Sequence, residues 1–337
     1  MVTMAEVAEV AGVSQSTVSH VLNSTRVVSD RTREAVLDAI ASTGYRRNAL
    51  AHSLATSRTL TLGLASNSAT NPYFADLVRS VESGARAAGY SLVVGATWED
   101  GEQEQRVVQQ LVDRQVDGLL LVPSPDAVHL ALPFLASTGV PVVLLDRFTD
   151  VELDQVAPDN ESPTALLTGH LADLGHRRIA FVAGLEGLHS TEERLAGHLK
   201  VIADRDLDLD PSLVLHGGSQ VQEAERAVLG LLGAERRPDA LVVANNAMTI
   251  GTLRALRTLG LRVPQDMPLV CYDDFEWSDL FEPRLTAISQ NVSAMGARAV
   301  ELIVERIRGR ADSPRRERIA TTYHHRSSCG CPSGTVL

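Results

Sequence analysis

Polar side chains suited to binding hydroxyl groups stand directly after three apolar runs of the 337-residue chain. Asp146, Asn245 and Asp273 each follow a stretch rich in valine, leucine and alanine or cysteine. Carboxylates and amides hold hydroxyl groups through paired hydrogen bonds, so several of them converging would form a pocket for a polar small molecule. Asp and Asn also cap helices and fill turns, which is the alternative for each residue taken singly.

Motifs for catalysis or for cofactor binding are absent from the sequence. There is no G-x-G-x-x-G after a strand, no P-loop, no H-E-x-x-H and no G-x-S-x-G. His170 and His176 are six residues apart, and Cys329 and Cys331 have no further cysteine near them, so neither pair predicts a metal site. We therefore expect no enzyme activity, no cofactor and no bound metal.

The polar residues must be positioned by a body of alternating strands and helices. Short apolar runs separated by amphipathic stretches predict parallel sheets covered on both faces, in two similar α/β lobes. Ligands of such folds bind outside the carboxyl ends of the strands, where the polar residues stand. The predicted strands are 60–65, 90–94, 118–122 and 141–145 in the first set, and 178–182, 213–215, 240–244 and 268–272 in the second.

The first 45 residues predict three short helices. Thr3 and Glu6 form a capping box, Gly12 ends the first helix, and Ser14 caps the second. The third helix begins near residues 29–30, runs through Val36, Leu37 and Ile40, and ends at 44. A tight turn between the first two helices makes a helix-turn-helix; a small interaction module of three helices is the alternative.

The second helix has one apolar and one polar face. Val18, Val21 and Leu22 form the apolar stripe that packs on the head. Gln15, Ser16, Ser19 and His20 point the other way. Their donors and acceptors suit base edges and phosphates, whereas a face used only for solubility would more often carry Glu and Lys.

Residues 46–59 predict a short helix from about 48 to 55, followed by a polar linker. A helix of this length is marginal alone, and Leu54 has little core in which to be buried. The alternatives are a disordered linker, or a segment that orders on binding and uses an exposed leucine as a wedge.

Charge and composition limit the function classes further. The net charge of −11 argues against a protein that coats nucleic acid, but residues 1–58 hold six arginines and five acidic residues. No run of 18 apolar residues and no secretory signal is present. Three cysteines are too few for a disulfide framework, so we expect the reducing cytoplasm.

Long motifs make the chain resemble the lactose/galactose-repressor family. They are the run 3–23, the Val-Ser…Thr-Arg run 28–33 and Gly44-Tyr45-x-x-Asn48, with 170–184, 194–197, 244–251 and 272–274 in the body. The head is especially similar to the family's purine repressor, since both have His rather than Arg at position 20. The resemblance implies that Gln15, Ser16 and His20 read bases and that Leu54 wedges into the minor groove. The implied DNA-binding residues are Thr3, Ser14, Gln15, Ser16, Thr17, Ser19, His20, Asn23, Tyr45, Asn48, His52 and Leu54.

The resemblance also implies a body like that of periplasmic binding proteins. It divides the chain into a head (1–45), a hinge helix and linker (46–59), a first lobe (60–159 and 289–318) and a second lobe (160–288 and 319–330). The implied effector-binding residues are Asn71, Phe74, Asp146, Ser190, Arg194, Ser219, Asn245, Asp273 and Gln290.

Three positions depart from the family's pattern. Asn246 replaces a common Asp, Cys271 replaces a common Gly, and Ser219 stands where the purine repressor is expected to place an aromatic against its base. Without that partner we expect a sugar or polyol rather than a purine. Trp98 and Trp277 supply further stacking or belong to the core.

These observations together predict a homodimeric, effector-controlled transcriptional repressor that binds a near-palindromic operator in double-stranded DNA, with no membrane contact. A purine- or nucleoside-responsive regulator and a cytoplasmic sugar-binding protein are the alternatives. An enzyme would need a nucleophile or metal cluster at the strand ends.

Overall fold

A computed structural model describes residues 2–23, 26–45, 58–67, 71–275, 278, 280, 282–310 and 312–331. It divides into two compact units, Met1–Thr59 (the head) and Leu60–Leu337 (the body). The predicted hinge residues Asn48, His52 and Leu54 lie outside the described residues, as does Trp277.

The described part of the head contains three helices with the caps that the sequence predicts. They are α1 (Met4–Ala11), α2 (Gln15–Asn23) and α3 (Asp30–Thr43). The capping box is formed, because Thr3 donates its amide to Glu6 at 2.8 Å and its hydroxyl accepts from the Glu6 amide at 3.3 Å. Gly12 ends α1 with φ of 65°, which favours glycine.

A small apolar cluster holds the three helices together. Its buried members are Val7, Ala8, Val18, Val36 and Ala39. In α3 the buried positions are thus 36 and 39, three residues apart on one helical face. Leu37, which the sequence places in the same run, lies on another face and is 52% exposed.

Twelve strands form two six-stranded sheets in the described part of the body. They are β1 (Thr61–Ser66), β2 (Ser91–Ala96), β3 (Gly118–Leu121), β4 (Val142–Leu145), β5 (Asp154–Pro158), β6 (Ile179–Ala183), β7 (Val214–His216), β8 (Ala240–Val243), β9 (Leu269–Tyr272), β10 (Thr286–Gln290), β11 (Arg316–Ile319) and β12 (Thr321–His324).

Helices flank both sheets. They are α4 (Pro72–Ala87), α5 (Gly101–Asp113), α6 (Ala131–Thr138), α7 (Glu161–Asp173), α8 (His189–Asp204), α9 (Val221–Leu232), α10 (Asn246–Thr258) and α11 (Val292–Ile307). Among the described residues no helix is both long and apolar enough to cross a membrane.

The two sheets have corresponding strand orders. The first lobe has the order β11-β5-β4-β3-β1-β2 and the second has β12-β10-β9-β8-β6-β7. All pairs are parallel except β10 with β12, which is antiparallel, so the second sheet is not the purely parallel one that the sequence predicts. The predicted two-lobed α/β class is otherwise observed, with all eight predicted strands present.

The chain passes between the lobes three times. The crossings follow β5, β10 and β11, as the sheet membership of the strands shows. The predicted lobe limits at 288/289 and 318/319 fall inside β10 and β11. The carboxyl ends of the central strands from both sheets line one cleft between the lobes.

Candidate DNA-binding and effector-binding sites

Helix α2 presents a polar surface on the head. Gln15 and Ser16 are exposed, while Ser19 and His20 are half-buried. Val18, on the opposite face, is fully buried against the other two helices. The packing of α2 therefore leaves the first two predicted base-reading residues at the surface.

Hydroxyl groups at the start of α2 bond to one another. The Ser14 hydroxyl accepts from the Thr17 amide at 3.2 Å, which caps the helix, and it lies 2.8 Å from the Ser16 and Thr17 hydroxyls. Tyr45 is half-buried against the apolar cluster of the head, and Asn23 is the last residue of α2. Ser14 and Tyr45 thus have structural contacts in addition to any contact with DNA.

The nine predicted effector-binding residues all line one cleft that opens to solvent between the lobes. They are Asn71, Phe74, Asp146, Ser190, Arg194, Ser219, Asn245, Asp273 and Gln290. The structure therefore brings together every residue of the predicted set, although they span more than two hundred positions of the chain. Their contact with a ligand stays a prediction.

Two aspartates occupy equivalent positions in the two lobes. Asp146 directly follows β4 and Asp273 directly follows β9, and both side chains lie almost wholly inside the protein. Both residues adopt the left-handed backbone region, with φ of 75° and 73°. Non-glycine residues rarely adopt it, although Asp tolerates it better than most. Each turn aims a carboxylate at the cleft instead of continuing the strand.

A chain of hydrogen bonds joins these aspartates across the cleft. The Gln290 amide nitrogen donates to Asp273 Oδ1 at 2.6 Å. The Tyr73 hydroxyl lies within bonding distance of Asp146 Oδ1 and, at 3.1 Å, of Gln290 Oε1. A hydroxyl carries one proton, so Tyr73 donates to one of these acceptors at a time.

Burial determines the protonation state of the Asp146 and Tyr73 side chains in this hydrogen-bonded series. It raises the pKa of the Asp146 carboxyl above its ordinary value, although the Arg147 guanidinium beside it favours the ionised form. Burial, together with the Asp146 charge, raises the pKa of Tyr73 well above 10, so its hydroxyl keeps its proton at neutral pH. Tyr73 is therefore a donor on the wall of the cleft.

Arg194, on α8, is held by three contacts of the second lobe. Its Nε donates to Asn160 Oδ1 at 2.8 Å and its Nη1 donates to the Ala244 carbonyl oxygen at 2.6 Å. Its guanidinium carbon lies 3.7 Å from the centre of the Tyr272 ring. These contacts orient a planar cation at the edge of the cleft, which suits binding of ligand oxygens.

Some of the polar residues that line the cleft also cap helices, which is the alternative role that the sequence left open for Asp and Asn. Asn245 Oδ1 accepts from the Met248 amide at 2.8 Å and caps α10. Asn71 caps α4 through the Tyr73 amide, and its side chain also forms a reciprocal amide pair with Asn246, at 3.0 and 2.7 Å. Since Asn71 belongs to the first lobe and Asn246 to the second, this pair bridges them.

Sequence reasoning missed Tyr73 and Glu99. Both oxygens of Glu99 accept from the Arg147 guanidinium, at 2.6 and 2.7 Å, beside Asp146. Glu99 lies in a turn with φ of 58°, and no periodic pattern marks such a residue. Trp98, next to it, is 59% exposed and lines the outer part of the cleft, so it is not a core residue.

Comparison with known proteins identifies the chain. The family model for bacterial regulatory proteins of the lacI family matches residues 3–48, and that for a periplasmic binding protein-like domain matches residues 168–329. The HTH-type transcriptional repressor PurR of Haemophilus influenzae (strain PittEE) is 35% identical over 308 residues, which are 91% of each chain. The chain belongs to the lacI family. The PurR of Aliivibrio fischeri (strain MJ11) is 34% identical, over 91% of this chain and 92% of its own.

Solved structures of this family have the same fold. The lac repressor dimer bound to operator and the anti-inducer ONPF matches with a TM-score of 0.86 and 31% identity, over 97% of this chain and 99% of that one. The complex of the transcriptional regulator CelR with cellobiose matches with a TM-score of 0.73 and 31% identity, over 97% and 100%. The predicted fold class and the prediction of a DNA-binding transcriptional repressor of this family are thereby confirmed.

Proposed function

We propose that this lacI-family repressor acts as a homodimer on a near-palindromic operator and is controlled by a hydroxyl-rich effector, a sugar or polyol. Two copies of α2 would read the two half-sites, because a two-fold protein mirrors the symmetry of its DNA site. The lac repressor in its operator complex is a dimer, which supports this assembly. A protein that binds operator DNA would act in the cytoplasm.

The proposed class of effector, a sugar or polyol, rests on the two buried aspartates at the strand ends. Asp146 and Asp273 offer carboxylate acceptors from opposite lobes, and Arg194 offers a planar donor. This arrangement suits a ring with hydroxyl groups on two sides. The cellobiose complex of CelR shows a saccharide bound by a structural relative.

The aromatic residues that the structure describes in the inner part of the cleft lie on one wall. Tyr73 and Phe74 belong to the first lobe, whereas Ser219 lies on the second; Trp98 and Phe275 line the outer part. The Ser219 hydroxyl accepts from the Leu185 amide at 3.0 Å. A sugar needs stacking on one face, but a purine sandwiched between two rings would lack its second partner here.

A purine or nucleoside effector is the second candidate, favoured by the similarity to the PurR repressors. Asp, Asn and Arg side chains also hydrogen-bond to base edges. An enzyme is the weakest candidate. Among the described residues that line the cleft there is no histidine, cysteine or lysine, and the buried carboxyl groups of Asp146 and Asp273 already bond to Tyr73 and Gln290.

Effector control requires a ligand with unequal affinity for two states of the body. The bonds between the lobes, from Tyr73 to Gln290 and from Asn71 to Asn246, respond to the angle between the lobes. We propose that the effector changes this angle and thereby the spacing of the two hinge segments at residues 46–59. Leu54 would then gain or lose its place in the minor groove.

The test combines a ligand screen with selection of DNA. The full-length protein is screened by thermal shift against monosaccharides, disaccharides, polyols, purine bases and nucleosides. Each hit is then tested for its effect on binding to the operator obtained by selection from random DNA. A sugar or polyol that shifts both melting temperature and operator affinity supports the proposal. Responses to purines alone would replace it with the second candidate.

Two isosteric variants separate the cleft from the rest of the body. Asp273→Asn removes one strand-end charge without changing the shape of the side chain, and we expect it to weaken effector binding by about 10-fold or more. Asp266→Asn, in an exposed ion pair with Arg262, is the matched control and should change nothing. Equal effects of the two variants would contradict the assignment of the cleft.

A further inference from the structure

Four potential metal ligands meet in the second lobe, away from the effector cleft. They are His170, His325, Cys329 and Cys331. His170 lies in the last turn of α7, His325 directly follows β12, and the cysteines belong to the turn after it. The fold brings together two parts of the sequence that are 161 positions apart.

The C-terminal turn is fixed in place by its own serines. The Ser328 hydroxyl accepts from the Thr286 amide at 2.8 Å and donates to the Leu269 carbonyl oxygen at 2.6 Å. Gly330, between the two cysteines, has φ of 83°, which favours glycine. With this turn the thiols of Cys329 and Cys331 converge on one side of the chain.

The donor atoms all lie within 4.8 Å of one another, and four of their six distances are close to those of a small tetrahedral site. His325 Nε2 lies 3.1 Å from Cys331 Sγ and 3.5 Å from Cys329 Sγ, and the two sulfur atoms are 3.4 Å apart. His170 Nε2 lies 3.4 Å from Cys331 Sγ. Tetrahedral zinc with Zn–S near 2.3 Å and Zn–N near 2.0 Å separates its ligand atoms by about 3.3–3.8 Å.

The surroundings suit a structural ion. His170 and Cys329 are buried, and the ring of Tyr323 lies about 6 Å from both histidine rings. His325 and Cys331 are half-buried beside a surface groove through which an ion can enter. Four protein ligands leave no open position for a substrate, and two thiolates balance the charge of one divalent cation.

We propose that His170, His325, Cys329 and Cys331 bind one Zn²⁺ ion, which fastens the C-terminal turn to α7. Thiolate and imidazole ligands in tetrahedral arrangement select zinc over magnesium, calcium or manganese. Binding requires neutral imidazoles and deprotonated thiols, so two protons leave the cysteines for solvent. The ion stabilises the second lobe by linking its last segment to a helix from its beginning.

The test measures zinc and cobalt in the full-length protein. We expect about one zinc ion per chain after gel filtration, by elemental analysis. After the zinc is replaced with Co²⁺, we expect the intense visible bands of a tetrahedral site together with a near-ultraviolet thiolate-to-cobalt band. Removal of zinc with a chelator should lower the melting temperature, and added Zn²⁺ should restore it.

Paired variants assign the ligands. Cys331→Ser and His325→Gln each remove one ligand and should lose the zinc. Cys271→Ala removes the third cysteine, in β9, and His176→Gln removes a histidine that lies near Asp239 instead; both controls should retain it. The cobalt spectrum of the unaltered protein provides a result even if a ligand variant fails to fold.

Three results would overturn the proposal. They are substoichiometric zinc after incubation with Zn²⁺, a cobalt spectrum without thiolate bands, and equal zinc content in Cys331→Ser and the controls.

The competing explanation is a disulfide between Cys329 and Cys331. It would leave one reactive thiol per denatured chain and lower the mass by two hydrogens, whereas the zinc site yields three thiols once the metal is removed.

Discussion

Replacing Arg194 with lysine tests how the cleft is built. Lysine keeps the charge but carries all its donors on one nitrogen, so it cannot reproduce the bonds that Arg194 makes to Asn160 and to the Ala244 carbonyl oxygen from two separate nitrogens. Nor can its ammonium group stack flat on Tyr272. Losing one charge-assisted hydrogen bond costs about 1.5–3 kcal/mol, and weakening the cation–π contact costs about 1 kcal/mol. We expect the free energy of unfolding of the body to fall by about 2–4 kcal/mol.

The same variant should lower effector affinity by about 10- to 100-fold, because a point charge replaces a planar fork aimed at ligand oxygens. Operator affinity without effector should stay within about two-fold, a change of less than about 0.5 kcal/mol. Urea denaturation measures the stability, calorimetry measures the effector, and fluorescence anisotropy measures the operator. Arg236→Lys, whose side chain is 78% exposed, is the control and should change none of the three.

Two results would refute this reasoning separately. A stability loss below about 1 kcal/mol would mean that the three contacts of Arg194 do not hold it as described. Unchanged effector affinity, with the expected loss of stability, would mean that Arg194 supports the cleft wall without touching the ligand.

Further predictions concern the head, the hinge and a buried acid. Gln15→Ala should relax the preference at one or two base pairs of each half-site, each worth about 1–3 kcal/mol, whereas Ser42→Ala, at an exposed position in the last turn of α3, should leave the selected consensus unchanged. Leu54→Ala should weaken operator binding far more than binding to random DNA; equal loss on both would exclude a wedge. Burial raises the pKa of Glu104 from 4.5 to about 7. The protonated carboxyl group therefore makes its whole contribution to the free energy of unfolding below pH 4.5, and this contribution is lost as the pH rises through 7. The stability of Glu104→Gln relative to the unaltered protein should therefore rise by up to about 3 kcal/mol between about pH 4.5 and pH 8 in urea denaturation, and a constant difference would contradict the burial.

Six of the eight strands that the sequence predicts are almost wholly buried apolar runs, and the other two, β2 and β7, are half-buried strands at the sheet edges. β5 was missed because its sequence, Asp-Gln-Val-Ala-Pro, begins with two polar residues and ends in proline, which leaves no apolar run, although all five residues are buried. Asp154 receives two hydrogen bonds from Arg306, at 2.6 and 3.0 Å, and one from the Arg315 amide at 2.7 Å. These donors lie about 150 positions further along the chain, beyond the reach of any local pattern.

The candidate site also contains residues that the sequence predicts and residues that it does not. Asp146, Asn245 and Asp273 were predictable because strand ends of parallel sheets meet at one edge. Tyr73 and Glu99 were not, because one lies in the first turn of a helix and the other in a turn between elements. Motif spacing also failed for His170, whose apparent partner in the sequence was His176 and whose neighbours in space are Cys331 and His325.

The hydrogen bonds within the cleft indicate what an effector must do. A ligand hydroxyl that donates to Asp146 competes with Tyr73 for that carboxylate, and one that donates to Asp273 competes with the Gln290 amide. The Tyr73–Asp146 bond lies within the first lobe and the Gln290–Asp273 bond within the second. An effector that reaches a single aspartate therefore contacts one lobe only at this point and distinguishes poorly between two lobe angles. A ligand with hydroxyl groups on two sides replaces both bonds at once and links β4 to β9 directly. A disaccharide or a polyol with well-separated hydroxyl groups should therefore shift operator affinity. Fragments that carry only half of the ligand's hydroxyl groups should bind the cleft with little effect on operator affinity. The same anisotropy titration measures this difference.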